Sequence, residues 1–219
     1  MSKPFSLFFL LTVVLLSACR QSGTVQEVSM PADPLQRLIE GNERFREFHP
    51  LHPDQTRGKM RDLTAGQHPF AVVLSCSDSR VPPELVFDQG LGDLFVIRTA
   101  GHLVDNYELG SVEYAVEHLG VRLIVVLGHE QCGAVQAFLE HRNDSLPGHI
   151  QDLMNALKAE MEEEPDIRDP NAGIDKAVRA NIHHVTGQLK DDEFIVHHPG
   201  VRIVGALYHL DDGAVDFIY

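Results

Sequence analysis

The sequence predicts a parallel α/β sheet with an antiparallel edge strand, and three observations carry that expectation. Two apolar runs, Phe70-Ala71-Val72-Val73-Leu74 and Leu123-Ile124-Val125-Val126-Leu127, are continuous rather than alternating. That is the pattern of strands buried on both faces. Helical segments separate the strand candidates, which favours parallel crossovers. Near the end of the chain, residues 201–210 and 214–218 flank Asp212-Gly213, a hairpin signal that adds the antiparallel strand. At 219 residues the chain can build one sizeable core, and nothing in it suggests two.

Residues 1–18 read as a signal peptide. Lys3 supplies a positive start, residues 5–16 are apolar apart from Ser6 and Thr12, and small residues follow. The run is shorter than the roughly 20 residues that span a bilayer. Leu16-Ser17-Ala18-Cys19 is similar to a bacterial lipoprotein signal, in which the cysteine is lipidated; an ordinary secretory peptide cleaved near Ala18 is the alternative. Residues 19–33 then form a flexible tether carrying Pro31, and residues 34–219 the folded domain. The expected location is the periplasmic side of a membrane, held through Cys19.

Along the domain, Asp33-Pro34 is an N-cap followed by a first-turn proline, opening a helix over 35–48 with Leu38, Phe45 and Phe48 on one face. A short helix fits 56–64, closed by Gly66, and the first strand follows at 70–76. Pro82-Pro83 opens a brief helix, and 93–98 is the second strand. A helix over 107–119, stopped by Gly120, leads into the strand at 123–127. Helices are expected at 133–141, 149–163 and 172–190, with a loop at 165–170. Residues 193–198 fit either a short strand or a helical turn.

The formal net charge is −14, and the acidic clusters at 160–164 and 191–193 have no basic counterpart. Nucleic acid is thereby excluded as a partner, because it requires a basic stripe.

Two motifs carry the chemistry. Cys76-Ser77-Asp78-Ser79-Arg80 and His129-Glu130-Gln131-Cys132-Gly133 each follow a predicted buried strand. Open α/β sheets build their sites beyond the carboxyl ends of such strands. Two such ends side by side would gather two thiols, an imidazole and a carboxylate, the ligand types of a tetrahedral zinc site. In an oxidising compartment a disulfide between Cys76 and Cys132 is the alternative reading. That reading leaves Asp78, Arg80 and His129 without a purpose, whereas zinc accounts for all of them.

These motifs, with Gly41-Asn42-Glu43-Arg44-Phe45, Gly92-Asp93-Leu94-Phe95-Val96 and Ser111-Val112-Glu113-Tyr114-Ala115, give the chain a resemblance to the β-class carbonic anhydrases from about Leu35 to Tyr219. The expected fold is a four-stranded parallel sheet in order 2-1-3-4 with an antiparallel fifth strand at the C-terminus. The resemblance implies reversible hydration of CO₂ to bicarbonate and a proton by zinc-bound hydroxide. Cys76, His129 and Cys132 would hold one Zn²⁺ per subunit and leave the fourth position to water. Asp78, held by Arg80, would orient that nucleophile, or take the fourth zinc position in a closed, inactive form. The Gly133 N–H would bond a substrate oxygen, and Gln67, Phe95 and Tyr114 would line the pocket, some from a partner subunit. A homodimer or higher homo-oligomer is implied, with residues 35–48 packed over the partner.

Each role has a plainer rival: a structural ion pair for Asp78 and Arg80, a loop position for Gln67, a core position for Phe95. His49, His52, His183, His184, His197 and His198 read as surface histidines. Thr99 and His102 stand where the family more often has asparagine, which makes His102 the favoured proton shuttle at the pocket rim. Val73 replaces the tryptophan of the bicarbonate-inhibited subgroup, so that kind of inhibitory pocket is not expected. The alternatives to CO₂ hydration are hydrolysis of COS or CS₂ on the same scaffold, and a non-catalytic lipoprotein that binds zinc or bicarbonate.

Overall fold

The computed structural model describes residues 30–162 and 173–218. The signal peptide, Cys19, most of the tether and the loop at 165–170 lie outside them. The compact unit begins at Pro31. Its elements are α1 (Pro34–Arg46), α2 (Arg57–Asp62), a 3-10 turn (Leu63–Ala65), β1 (Ala71–Cys76), α3 (Pro83–Val86), β2 (Leu94–Thr99) and a second 3-10 turn (Ala100–His102). Then come α4 (Asn106–His118), β3 (Leu123–His129), α5 (Gly133–Glu140), α6 (Ile150–Glu162), α7 (Ile174–Asp191), α8 (Glu193–Val196), β4 (Arg202–Tyr208) and β5 (Val215–Phe217).

The sheet order is β2-β1-β3-β4-β5. The first four strands are parallel, and β5 pairs antiparallel with β4. This is the expected architecture. Both faces of β1 and β3 are covered, so every residue of these strands is buried. Alternate side chains serve two cores. Val72, Leu74, Ile124 and Val126 pack with Val112 and Val116 of α4 and Ile182, Val185 and Leu189 of α7. Val73, Leu123, Val125 and Leu127 pack on the other side with Leu38 of α1, Val86 and Phe87.

Local chemistry sets the helix ends. Asp33 caps α1 by accepting from the Gln36 N–H at 3.2 Å, and Asp105 with Glu108 forms a capping box on α4. The first helix stops at Arg46 rather than Phe48: the His49 N–H reaches back to the Arg44 carbonyl at 3.0 Å, and Phe48 turns to φ +57. Leu38, Gly41 and Asn42 of α1 are buried within their own chain. Asn42 ties α1 to the last strand, donating to the Gly213 carbonyl at 2.8 Å and accepting from the Val215 N–H at 2.9 Å. β3 runs two residues past its apolar core, because His129 still pairs with Tyr208 of β4. Residues 193–196 are helical, capped by Asp192, which accepts from the Ile195 N–H at 2.9 Å.

Candidate metal centre

β1 and β3 are hydrogen-bonded neighbours, so their carboxyl ends deliver Cys76 and His129 to one place. Cys132 arrives three residues later as the N-cap of α5. All three side chains are buried, and their donor atoms lie within 4.8 Å of one another. The two sulfurs are 3.9 Å apart. A disulfide needs about 2 Å, whereas two thiolates at about 2.3 Å from a shared tetrahedral zinc stand about 3.8 Å apart. Both cysteines are free, as the zinc reading requires.

The imidazole is set for the same task. His129 Nδ1 lies 2.8 Å from the Glu130 carbonyl oxygen, a bond that needs the proton on Nδ1. Nε2, fully buried, is left with no protein partner. A buried ring nitrogen with a free lone pair beside two sulfurs is what a cation would satisfy.

The thiols also call for one. A hydrogen bond from Cys132 holds the Cys76 thiol well below the usual cysteine range, and the Gly101 N–H adds to this at 3.3 Å from Cys76 Sγ. The same bond, with burial, pushes Cys132 up. The pair by itself thus gives up one proton readily and the second with difficulty, and a divalent cation removes that conflict.

Beside the donors sits a charged dyad. Arg80 Nε and Nη2 grip the Asp78 carboxylate at 2.9 and 2.7 Å, and the Arg80 backbone N–H adds a third bond at 2.9 Å. Arg80 Nη2 also reaches the Gln131 carbonyl at 3.3 Å, tying the two loops together. The guanidinium holds the Asp78 carboxyl down at about 2. Asp78 Oδ2 is 3.8 Å from His129 Nε2. The carboxylate therefore borders the donor set while bound to Arg80, and stands outside the three-residue cluster.

One group beside the centre lies outside both motifs. Arg98, at the end of β2, donates to the Cys76 carbonyl at 2.9 Å and the Asp78 carbonyl at 2.6 Å, clamping the loop after β1. An arginine closing an otherwise apolar strand was its trace in the sequence. Glu130 turns away from the centre: its carboxylate takes the Leu210 N–H at 3.1 Å and meets His209 at 2.8 Å, and His209 meets Asp216 at 2.9 Å on its other side.

Other expected site residues are placed less tightly. Gly133 is exposed at the first position of α5. Phe95 on β2 and Tyr114 on α4 face each other with ring centroids 6.2 Å apart. Gln67 is exposed in the segment before β1. Among the described residues none of these four shares a hydrogen bond or ring contact with the cysteines or His129. His49 and His52 are exposed, as expected.

His102 is a correction. It is fully buried, not at a rim, and neither ring nitrogen has a protein partner. A Cβ added at Gly128 would meet its Cε1 at 3.2 Å and the Ile182 side chain at 2.5 Å, so it sits packed between β3 and α7. Burial pushes its pKa down to about 4, so it stays neutral and has no open route for carrying a proton to solvent.

The comparisons with known proteins agree with this geometry. Residues 71–215 match the sequence model of the carbonic anhydrase family. The chain is 42% identical over 193 residues to carbonic anhydrase 2 of Mycobacterium tuberculosis, covering 84% of this chain and 90% of that protein. It is also 42% identical to a carbonic anhydrase of Mycolicibacterium smegmatis over 197 residues, covering 86% and 93%. Among solved structures, it superposes on the β-carbonic anhydrase CcaA with a TM-score of 0.66 at 32% identity, over 84% of this chain and 91% of that one. A tetrameric β-carbonic anhydrase of Sordaria macrospora shares the fold at a TM-score of 0.67 and 22% identity, over 84% and 96%. Motif order, sheet topology and the spacing of the donors therefore converge, and the chain belongs to the β-class carbonic anhydrases.

Proposed function

We propose that this protein is a zinc-dependent enzyme that reversibly hydrates CO₂ to bicarbonate and a proton. The observation that carries the reading is the buried Cys76, His129 and Cys132 donor set with the Asp78–Arg80 dyad against it. Zinc held by these three residues would lower the pKa of a water and so supply a nucleophile for the carbon of CO₂.

The chain's own groups do the rest. Asp78, ionised across the physiological range, can only accept hydrogen bonds, and three donors from Arg80 fix the plane of its carboxylate. In this reading it would accept a hydrogen bond from the attacking oxygen and so aim a lone pair at the carbon. The Gly133 N–H, at the start of α5, would donate to a substrate oxygen. Gln67, Phe95 and Tyr114 are pocket-lining residues in this reading. Asp78 held by Arg80 is the open form; a turn onto the metal would close it.

A homodimer or larger homo-oligomer, with the site completed by residues of both subunits, is part of this proposal. β2 is a six-residue edge strand, half-buried along its length, with Phe95, Val96 and Ile97 on it. Tyr107 and Phe48 are 88% and 90% exposed in the isolated chain. Apolar surface and an open edge of this kind suit a second copy. We further propose that the chain is exported and anchored through a lipid on Cys19; no described helix is long and apolar enough to cross a membrane. Mass spectrometry of the membrane fraction, with Cys19→Ser releasing the protein, tests the anchor.

Stopped-flow CO₂ hydration with metal analysis of the purified protein tests the function. Stoichiometric zinc and a rate abolished by chelation are expected. A zinc-loaded protein that hydrolysed COS or CS₂ but left CO₂ untouched would overturn the substrate, and one inert toward all three would leave a zinc-binding lipoprotein.

A further inference from the structure

α7 presents an almost wholly apolar face to the sheet: Ala177, Val178, Ile182, Val185 and Leu189 are buried there. Asn181 interrupts it. Its side chain is fully buried, and its Oδ1 has no protein partner. An amide in such a place costs stability unless its bonds repay the lost water, and the carbonyl half of this one is unused. The bond it does make crosses 80 residues of sequence, from Asn181 Nδ2 to the Gly101 carbonyl at 2.8 Å.

Gly101 is the residue whose N–H donates to Cys76 Sγ at 3.3 Å. A single residue thus joins the buried amide to a proposed zinc ligand, its carbonyl toward Asn181 and its N–H toward the sulfur. The junction is tightly specified. Gly101 has φ +72, a left-handed conformation that side chains rarely tolerate. An added Cβ would lie 3.3 Å from the Ala134 Cβ and 3.5 Å from Leu157. The Gly101 carbonyl has Asn181 as its side-chain anchor, and the N–H on the other side of the same Cα faces the sulfur.

We infer that Asn181 is a positioning residue for the metal centre: by anchoring Gly101 it keeps the Gly101 N–H on the Cys76 sulfur and limits the charge that sulfur gives to the metal. The inference rests on the zinc reading above. Two thiolates already offset the +2 charge of zinc, which weakens it as a Lewis acid. An N–H bonded to one sulfur withdraws part of that charge, and partners of this kind tune a bound metal. Asn181 acts only through Gly101 and touches neither substrate nor metal.

Cobalt(II) substituted for zinc in the full-length protein reads the sulfur's donation directly, through the thiolate-to-cobalt charge-transfer band. In Asn181→Leu the band should move to longer wavelength, because a sulfur freed of its N–H donor gives up charge more easily. Asn181→Gln, which keeps the amide, should restore the band part of the way and decides the matter if the leucine variant does not fold. Thr186→Val removes another buried polar bond of α7, from Thr186 Oγ1 to the Ile182 carbonyl at 2.6 Å, and should leave the band in place. Folded, loaded Asn181→Leu with the wild-type band would overturn the inference, as would an equal shift in Thr186→Val. Cys76→Ser separates the two readings. If wild type shows no thiolate band for that change to diminish, the metal assignment fails and takes this inference with it.

Discussion

The loop after β1 and the loop after β3 end side by side on the same sheet, yet they are built differently. The β3 loop is held by burial and backbone. His129 and Cys132 are fully buried, the Glu130 N–H bonds the Tyr208 carbonyl at 3.1 Å, and α5 begins immediately, with Gln136 N–H on the Cys132 carbonyl at 2.9 Å. The β1 loop is held by charge. Ser77 and Arg80 are exposed, and the loop's shape comes from the Asp78–Arg80 pair and the Arg98 clamp. One loop grips; the other adjusts. A metal site needs both, because ligands must not move while the group that orients the nucleophile must reach the solvent side.

The sharpest way to break this contrast is to remove a ligand from the gripping loop. His129→Ala or Cys132→Ser should reduce zinc from stoichiometric to trace by metal analysis, with a lower thermal midpoint, since metal binding is coupled to folding. Asp78→Asn on the adjusting loop should do the opposite: zinc retained, kcat/KM down by about 10²-fold or more in stopped-flow hydration. If Asp78→Asn lost zinc as readily as His129→Ala, the carboxylate would be a ligand and the contrast would collapse.

Arg98→Met should fall between them, because the clamp touches the backbone of both Cys76 and Asp78. A loss of about 10- to 100-fold in zinc affinity, read by chelator competition, is expected. An affinity equal to wild type would show that the Asp78–Arg80 pair alone shapes the loop.

The smallest effects are those of pH on the charges around the two loops, and their signs differ. The Asp78 carboxyl lies at about 2 against an ordinary 3.8. Its contribution to stability is complete above the unfolded value and is lost as pH falls through the folded one, so wild type and Asp78→Asn should converge in urea midpoint between about pH 4 and 2. His209, behind the β3 loop, is partly buried, which opposes its charge, but its bonds to Asp216 and Glu130 raise its pKa above the ordinary 6.5. That contribution is complete below the unfolded value and fades as pH rises through the folded one. His209→Gln should therefore cost about 1 kcal/mol or less at pH 6, and that cost should shrink as pH rises above the ordinary histidine range. A cost that grew with pH would mean His209 is held neutral.

The sequence by itself marked the buried strands, the donor residues after them and the dyad, because each is a local signal, while the strand order came with the family resemblance. Continuous β-branched runs mark strands buried on both faces, and ligands that follow such strands by zero to five residues travel with them. Within two residues Asp78 and Arg80 can find one another without help from the fold. Element ends were less legible. β3 is lengthened by its pairing with β4, and α1 is shortened by a turn through Phe48, and neither effect leaves a mark on the residues concerned.

Tertiary structure alone decided what stands behind the centre. His102 reads as a rim residue beside Gly101, but the left-handed turn there sends it inward between β3 and α7, where burial keeps it neutral. Arg98 reads as a strand end and becomes a clamp. Asn181 reads as one polar residue in a long helix and becomes the anchor of Gly101, 80 residues away. Contacts between distant segments have no period and no motif, and they exist only once the sheet has brought the segments together. Sequence pattern reaches the residues that carry the chemistry, and packing chooses the ones that hold them in place.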